Sequence, residues 1–292
     1  MPKVSIITTT YKHQDFIAHT IKSVLSQTYT DRELLIGDDS PDDTTWEIIQ
    51  EYIDKYPDKI KARHHKPNKG IVDNMNFLID QADSQSEYIS FLEGDDMYTP
   101  DNLQEKMKVF EQYPDVSLVY SDLQTINKNG DYINHVITQN VIRSDIDNIY
   151  HFSIDPNNVF SRSNCIVKKN ILKNIKPRNV TGNKSYSVSD WDFYVNVLSK
   201  YKYKIIGQKL FYYRIHTNNI SFQENSIAKD IHSLISFYFK SDIRKINKLV
   251  WYAIKNYNQI RLSWFVKVII TFFLGGKNIN KMIEIRYNHY NA

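Results

Sequence analysis

Through the first 121 residues, short Val/Ile-rich runs alternate with stretches whose apolar residues recur every three or four positions. The runs Val4–Thr9, Glu33–Gly37, Lys59–His64, Tyr88–Leu92 and Val116–Ser121 have the length and β-branched content of strands. Between them, His13–Gln27 places Phe16, Ile17, Ile21, Val24 and Leu25 on one helical face. Asp42–Tyr56 does the same with Trp46, Ile49 and Ile53, and Pro57 stops it. Gly70–Ala82 and Pro100–Gln112 complete the set, the latter with proline in the first turn, where a missing N–H costs little. Strands alternating with helices predict an α/β fold built on a parallel sheet.

After residue 122 the alternation breaks. Leu123–Ile126 and Tyr132–Ile137 flank Asn129-Gly130, a hairpin signal. Ser187–Lys200 reads as helical, Lys204–Tyr213 as further short strands, and the chain from Ser226 onward as mostly helical. Leu262–Leu274 is strongly apolar but interrupted by Lys267, which suits a buried or interfacial helix.

Composition narrows the class. The chain has 292 residues, 41% hydrophobic and 24% charged, a globular balance. The single cysteine, Cys165, excludes a disulfide framework and a cysteine-based zinc site, and fits a reducing compartment. Mean hydropathy is −0.49, and no apolar run reaches the ~18 residues that cross a bilayer. The start, Met1 to Ser5, runs into a strand-like segment without a signal-peptide core, so the expectation is a cytoplasmic protein. The net charge of +4 is uneven: Lys240–Ala292 carries ten Lys/Arg against Asp242 and Glu284, or +8, leaving −4 for the rest. Such a tail suits a polyanion or an anionic membrane surface; a solvated set of helix faces is the alternative.

In an open α/β sheet, ligands bind beyond the carboxyl ends of the strands. Three polar clusters fall at such ends: Thr8-Thr9-Thr10-Tyr11, Asp38-Asp39-Ser40 and Glu93-Gly94-Asp95-Asp96. Three carboxylates in four residues repel one another unless a hard divalent cation neutralises them. The alternative is an acidic loop capping the helix near Pro100. None of the eight glycines forms a G-x-G-x-x-G or a P-loop, which argues against a dinucleotide dehydrogenase and a P-loop NTPase.

These segments, in order, resemble family 2 glycosyltransferases of the GT-A fold. The opening Val4–Tyr11, Ile21–Tyr29 and Glu33–Ser40 look like the family's first blocks. Asn68-Lys69-Gly70 with Asn76 resembles its next block, and Tyr88–Asp96 its metal-binding D-x-D segment. Ser189–Phe193 resembles its catalytic acidic motif, and Tyr212–His216 with Asn219–Ser221 its closing block.

The resemblance implies a GT-A domain over residues 1–222, with a mixed central sheet flanked by helices, followed by a basic helical appendage over 223–292. It implies a donor site at Thr9, Tyr11, Asp39, Asn68, Gly70, Asn76 and Asp95, with Thr9, Tyr11 and Asp39 at the base. Asp95, Asp96 and His216 would hold Mn2+ or Mg2+. Asp190 would be the general base of an inverting transfer, with Asp192 as its rival. Ser189 and Met75 depart from the family's usual Glu and Arg.

The expected activity is transfer from a nucleotide-sugar, a UDP-sugar, to a glycan or lipid-linked acceptor in surface polysaccharide synthesis. The setting would be the inner face of the plasma membrane, with peripheral contact to anionic lipid through the tail. The alternative for the tail's apolar face is packing on the domain or on a second subunit. Two other functions fit less well: a non-catalytic binder of sugar nucleotides or glycans, and a nucleic-acid-binding protein. The second rests only on the basic, aromatic tail and lacks any nucleic-acid motif. The sugar and the acceptor depend on residues 122–186, where no motif is readable.

Overall fold

A computed structural model describes residues 3–133, 162–177, 189–198, 200–217 and 219. Its elements are β1 (Lys3–Thr10), α1 (Ile17–Leu25), β2 (Arg32–Asp38), α2 (Thr44–Lys55), β3 (Ile60–His64), α3 (Ile71–Gln81), β4 (Ser86–Phe91) and β5 (Met97–Tyr98). They continue with α4 (Asn102–Gln112), β6 (Val116–Ile126), β7 (Cys165–Lys168), α5 (Leu172–Ile175), α6 (Ser189–Leu198) and β8 (Lys202–Arg214). The expected appendage over 223–292 lies outside the described residues. Among the described residues no helix is long and apolar enough to cross a membrane.

One eight-stranded sheet has the order β3-β2-β1-β4-β7-β6-β8-β5. The pairs β3–β2, β2–β1 and β1–β4 are parallel, as the alternating pattern predicts. The far half is mixed. β7 lies antiparallel to both β4 and β6, β6 and β8 are parallel, and β5 is antiparallel to β8. The sheet is thus parallel where the strands and helices alternate and mixed as a whole, as the family resemblance implies.

Alternation along the strands sends successive side chains to opposite faces, and each face has its own core. Val4, Ile6, Leu34 and Ile36 pack with Ile17, Ile21, Ile49, Leu103, Met107 and Phe110 from α1, α2 and α4. Ile7, Leu35, Ile89 and Phe91 pack with Met75, Leu78, Phe193 and Val197 from α3 and α6. Each such side chain contributes roughly 1.5–3 kcal/mol on burial. Met75, where the family usually has arginine, is one of these core side chains and is 1% exposed.

Three element boundaries differ from the pattern. The regular part of α1 begins four residues late, after a tight first turn in which the Phe16 and Ile17 N–H groups both donate to the His13 carbonyl. β6 continues through the expected break at residue 122 into the hairpin, whose turn is marked by Gly130 (φ 94) and the bridge from Ile126 to Tyr132. β8 is one 13-residue strand rather than several short ones. The parallel register brings the carboxyl ends of β1 to β4 to one edge, where the loops after Thr10, Asp38, His64 and Phe91 lie side by side.

Candidate active site

Beyond the end of β2, Asp39 is held open as an acceptor. Its two carboxylate oxygens accept the backbone N–H groups of Lys69 (3.1 Å) and Gly70 (2.8 Å). Asn68 completes the tie, its amide donating to the Asp39 carbonyl (3.1 Å). Gly70 makes the close approach in a left-handed conformation, φ 87, that favours glycine. A carboxylate has about four lone-pair sites, so Asp39 retains capacity for a further donor. Tyr11, 47% exposed, stands after β1 with the Lys12 ammonium 5.5 Å from its ring centre.

The loop after β4 carries three acids into three environments. Glu93 accepts from the Thr9 hydroxyl (2.5 Å), and its backbone N–H donates to Ser163 Oγ (2.8 Å). Burial pushes the Glu93 carboxyl up to about 7, with Arg162 and Thr9 opposing. Asp95 Oδ2 lies 3.0 Å from His216 Nε2 and 3.9 Å from His13 Nε2. Burial pushes Asp95 upward, but the neighbouring His13 and the hydrogen bond with His216 outweigh it and hold the group below its ordinary range. Asp96 is raised well above that range by burial and by the neighbouring Asp95 charge.

Ligand atoms of His13, Asp95 and His216 all lie within 4.8 Å of one another. His13 Nδ1 is buried without a hydrogen-bond partner. One carboxylate and two imidazoles form a donor set that can hold a first-row divalent ion, the carboxylate suiting Mn2+ and the imidazoles Zn2+ or Fe2+ as well. Of the expected trio, Asp95 and His216 belong to this group. Asp96 does not: its Oδ1 accepts the Arg214 N–H (2.9 Å). The buried Arg214 also donates through Nε to the Asp95 carbonyl (2.7 Å) and through Nη1 to the Lys128 carbonyl (2.9 Å), which fastens the acidic loop to the end of β8. Asn219 fixes the next turn, its Oδ1 accepting the His216 N–H (2.6 Å) and its Nδ2 donating to the Arg214 carbonyl (3.1 Å). Gly94 is wedged under this centre; a Cβ there would lie 2.5 Å from Thr10 Oγ1 and 2.9 Å from His13 Nδ1.

Asp190 opens α6, where the helix dipole favours an anion. The fully buried Arg162 binds it with Nη2 2.7 Å from Oδ1 and backbone N 3.2 Å from Oδ2. The same Nη2 donates to Ser189 Oγ (2.9 Å), so the serine at the family's glutamate position helps to seat the arginine. The Asp192 side chain lies outside the described residues.

Two expected donor-site residues also make contacts within the protein. The Thr9 hydroxyl serves Glu93, and the Asn76 amide donates to the Pro177 carbonyl (2.9 Å). His13, Arg162 and Arg214 have no role in the sequence reading. His13 was legible only as a polar residue just past β1; its two partners come from loops 121 residues apart in the chain, so no local spacing betrays the set.

The family model described as Glycosyl transferase family 2 matches residues 5–187. EpsE of Bacillus subtilis (strain 168), named a glycosyltransferase, is 31% identical over 44% of this chain and 46% of its own length. TuaG of the same organism, named for teichuronic acid biosynthesis, is 34% identical over 37% of this chain and 41% of its own. The chain thus spans less than half the length of these relatives. Among solved structures, S. aureus TarS 1–349 with UDP-GlcNAc superposes with a TM-score of 0.57 at 15% identity, covering 79% of this chain and 64% of that one. The Pyrobaculum calidifontis mannosyltransferase PcManGT with GDP-Man and Mn2+ gives 0.58 at 14% identity, covering 82% and 64%. These likenesses establish the GT-A fold.

Proposed function

The chain belongs to glycosyl transferase family 2, and from that premise we propose that it transfers a sugar, with inversion, from a UDP-sugar to a glycan or lipid-linked acceptor in surface polysaccharide synthesis. The observation that carries this reading is the convergence of Asp95, His13 and His216 at the strand-end edge that also holds Asp39. Donor complexes of two fold neighbours, with UDP-GlcNAc and with GDP-Man, support a nucleoside diphosphate sugar as the donor class.

His13, Asp95 and His216 would hold the cation, which supplies charge neutralisation for the departing diphosphate. Asp39 takes the base by accepting an N–H, and Tyr11 offers its exposed ring as a stacking face. Asp190 accepts the proton of the acceptor hydroxyl as that oxygen attacks the anomeric carbon. Attack from the face opposite the leaving diphosphate turns an α-linked donor into a β-linked product. Arg162 fixes both Asp190 oxygens, which limits the carboxylate to one orientation. The +8 tail supports peripheral contact with an anionic bilayer, where a lipid-linked acceptor resides.

A panel of nucleotide-sugars, with purified protein and manganese, tests the reading by mass-spectrometric detection of sugar loss. UDP-sugar turnover should stop with excess chelator and return with Mn2+ or Mg2+. Full turnover in chelator removes the metal, and no turnover with any UDP-sugar removes the donor.

A further inference from the structure

β3 is the end strand of the sheet, and among the described residues nothing pairs with its outer edge. A groove with a volume of about 1060 Å³ runs beside it. Its cations include Lys61, Arg63, Lys66 and Lys69, and its carboxylate Asp43 is paired with Lys66 (2.6 Å) and His64 (3.4 Å). Phe77 and Trp46 are its flat apolar faces, with Trp46 packed on His64, on the other side of β3 from Lys61 and Arg63. Lys61 and Arg63 are alternate, exposed residues of the strand and so share one face. The Lys61 ammonium is partly neutralised by Glu33 (3.0 Å). Among the described ion pairs none involves Arg63 or Lys69, and the Lys69 ammonium rests 5.4 Å from the Phe77 ring centre. His65, only 6% exposed, is among the groove's lining residues, with its Nε2 sealed from solvent. The Phe77 ring packs edge-on against it, at 4.9 Å and 89°.

We propose that this groove binds an anionic glycan, a chain bearing carboxylates or phosphates, outside the transfer crevice. Guanidinium and ammonium groups pair with such anions, Arg63 in bidentate fashion. The partly exposed Phe77 and Trp46 rings suit the C–H faces of sugar rings. β3 spans about 16 Å, so the groove accommodates an oligosaccharide instead of one sugar. One end meets the loop of Asn68 and Lys69, which ties to Asp39 at the donor site. A growing chain held here lies beside the crevice that extends it. Only the choice of a glycan over other anions rests on the transfer reading.

Calorimetry with the full chain, saturated with UDP and Mn2+, tests this. The probes are a hexameric oligogalacturonate, its neutral methyl ester, a short poly(glycerol phosphate) and a single-stranded oligonucleotide. The oligogalacturonate or the glycerol phosphate polymer should bind, weaken with salt, and bind at least tenfold less well to Arg63→Glu; the stronger of the two identifies the anion. Arg63→Gln should fall between, and UDP affinity should be the same in all three proteins. Failure of both anionic polymers, equal binding by wild type and Arg63→Glu, or an oligonucleotide preferred to both would each overturn the proposal. If Arg63-dependent binding persists while no nucleotide-sugar is turned over, the transfer reading falls and the groove stands.

Discussion

Lys106 of α4 is a fully buried lysine whose ammonium donates to the Asn164 carbonyl and to Asn164 Oδ1, both at 3.0 Å. No carboxylate pairs with it among the described ion pairs. Burial lowers its pKa from 10.5 to about 7. The unfolded chain therefore binds more protons than the folded one between pH 7 and 10.5, and stability rises with pH through that window; below pH 7 both states are protonated and the full cost remains. One pKa unit is about 1.4 kcal/mol, so the whole window is worth about 5 kcal/mol, of which about 2–3 kcal/mol falls between pH 6 and 9. Lys106→Met keeps the length and removes the titration. Urea unfolding of both proteins at pH 6, 7, 8 and 9 should show wild type gaining about 2–3 kcal/mol on the variant as pH rises. At pH 9 the two should lie within about 1 kcal/mol of each other, because the about 2 kcal/mol of cost that wild type still carries there offsets the bonds to Asn164 that the variant lacks. Parallel stability curves would refute the reasoning, because they mean that the ammonium titrates near its ordinary value in the fold.

Asp39→Ala should weaken UDP by about 1–3 kcal/mol in calorimetry, the scale for losing a partner to a buried polar group; equal affinity contradicts its role at the base. Asp190→Asn should lower turnover by ~10²–10⁴-fold and leave UDP affinity nearly unchanged. If Asp192→Asn is the crippling change and Asp190→Asn is mild, the base is the other carboxylate. Gly37→Ala should destabilise by about 1–3 kcal/mol in thermal or urea unfolding. The new Cβ would sit 1.8 Å from Asn74 Oδ1, whose amide already donates to the Gly37 carbonyl (2.8 Å); an unchanged midpoint means that Asn74 moves aside freely.

The half of the protein up to α4 was legible in the chain because its elements follow local periods. Strands β1 to β4 and helices α1 to α4 repeat a local period, and the polar residues that end each strand must gather where a parallel sheet brings the carboxyl ends together. Asp39 and Asp95 were legible for that reason. The tertiary structure alone decided the rest. β7, four residues long, carries no distinctive period, and only its pairing with β4 and β6 makes it a strand. Asp95 and Asp96 look equivalent on paper, yet one faces two histidines and the other the Arg214 backbone. Consecutive residues project in different directions, and which direction meets a ligand depends on side chains contributed from far along the chain. Arg162 and His13 took their roles in the same way. A charge or a ring at one position becomes functional only when non-local packing brings its partner within about 3–4 Å, and periodicity, a short-range signal, holds no record of that distance.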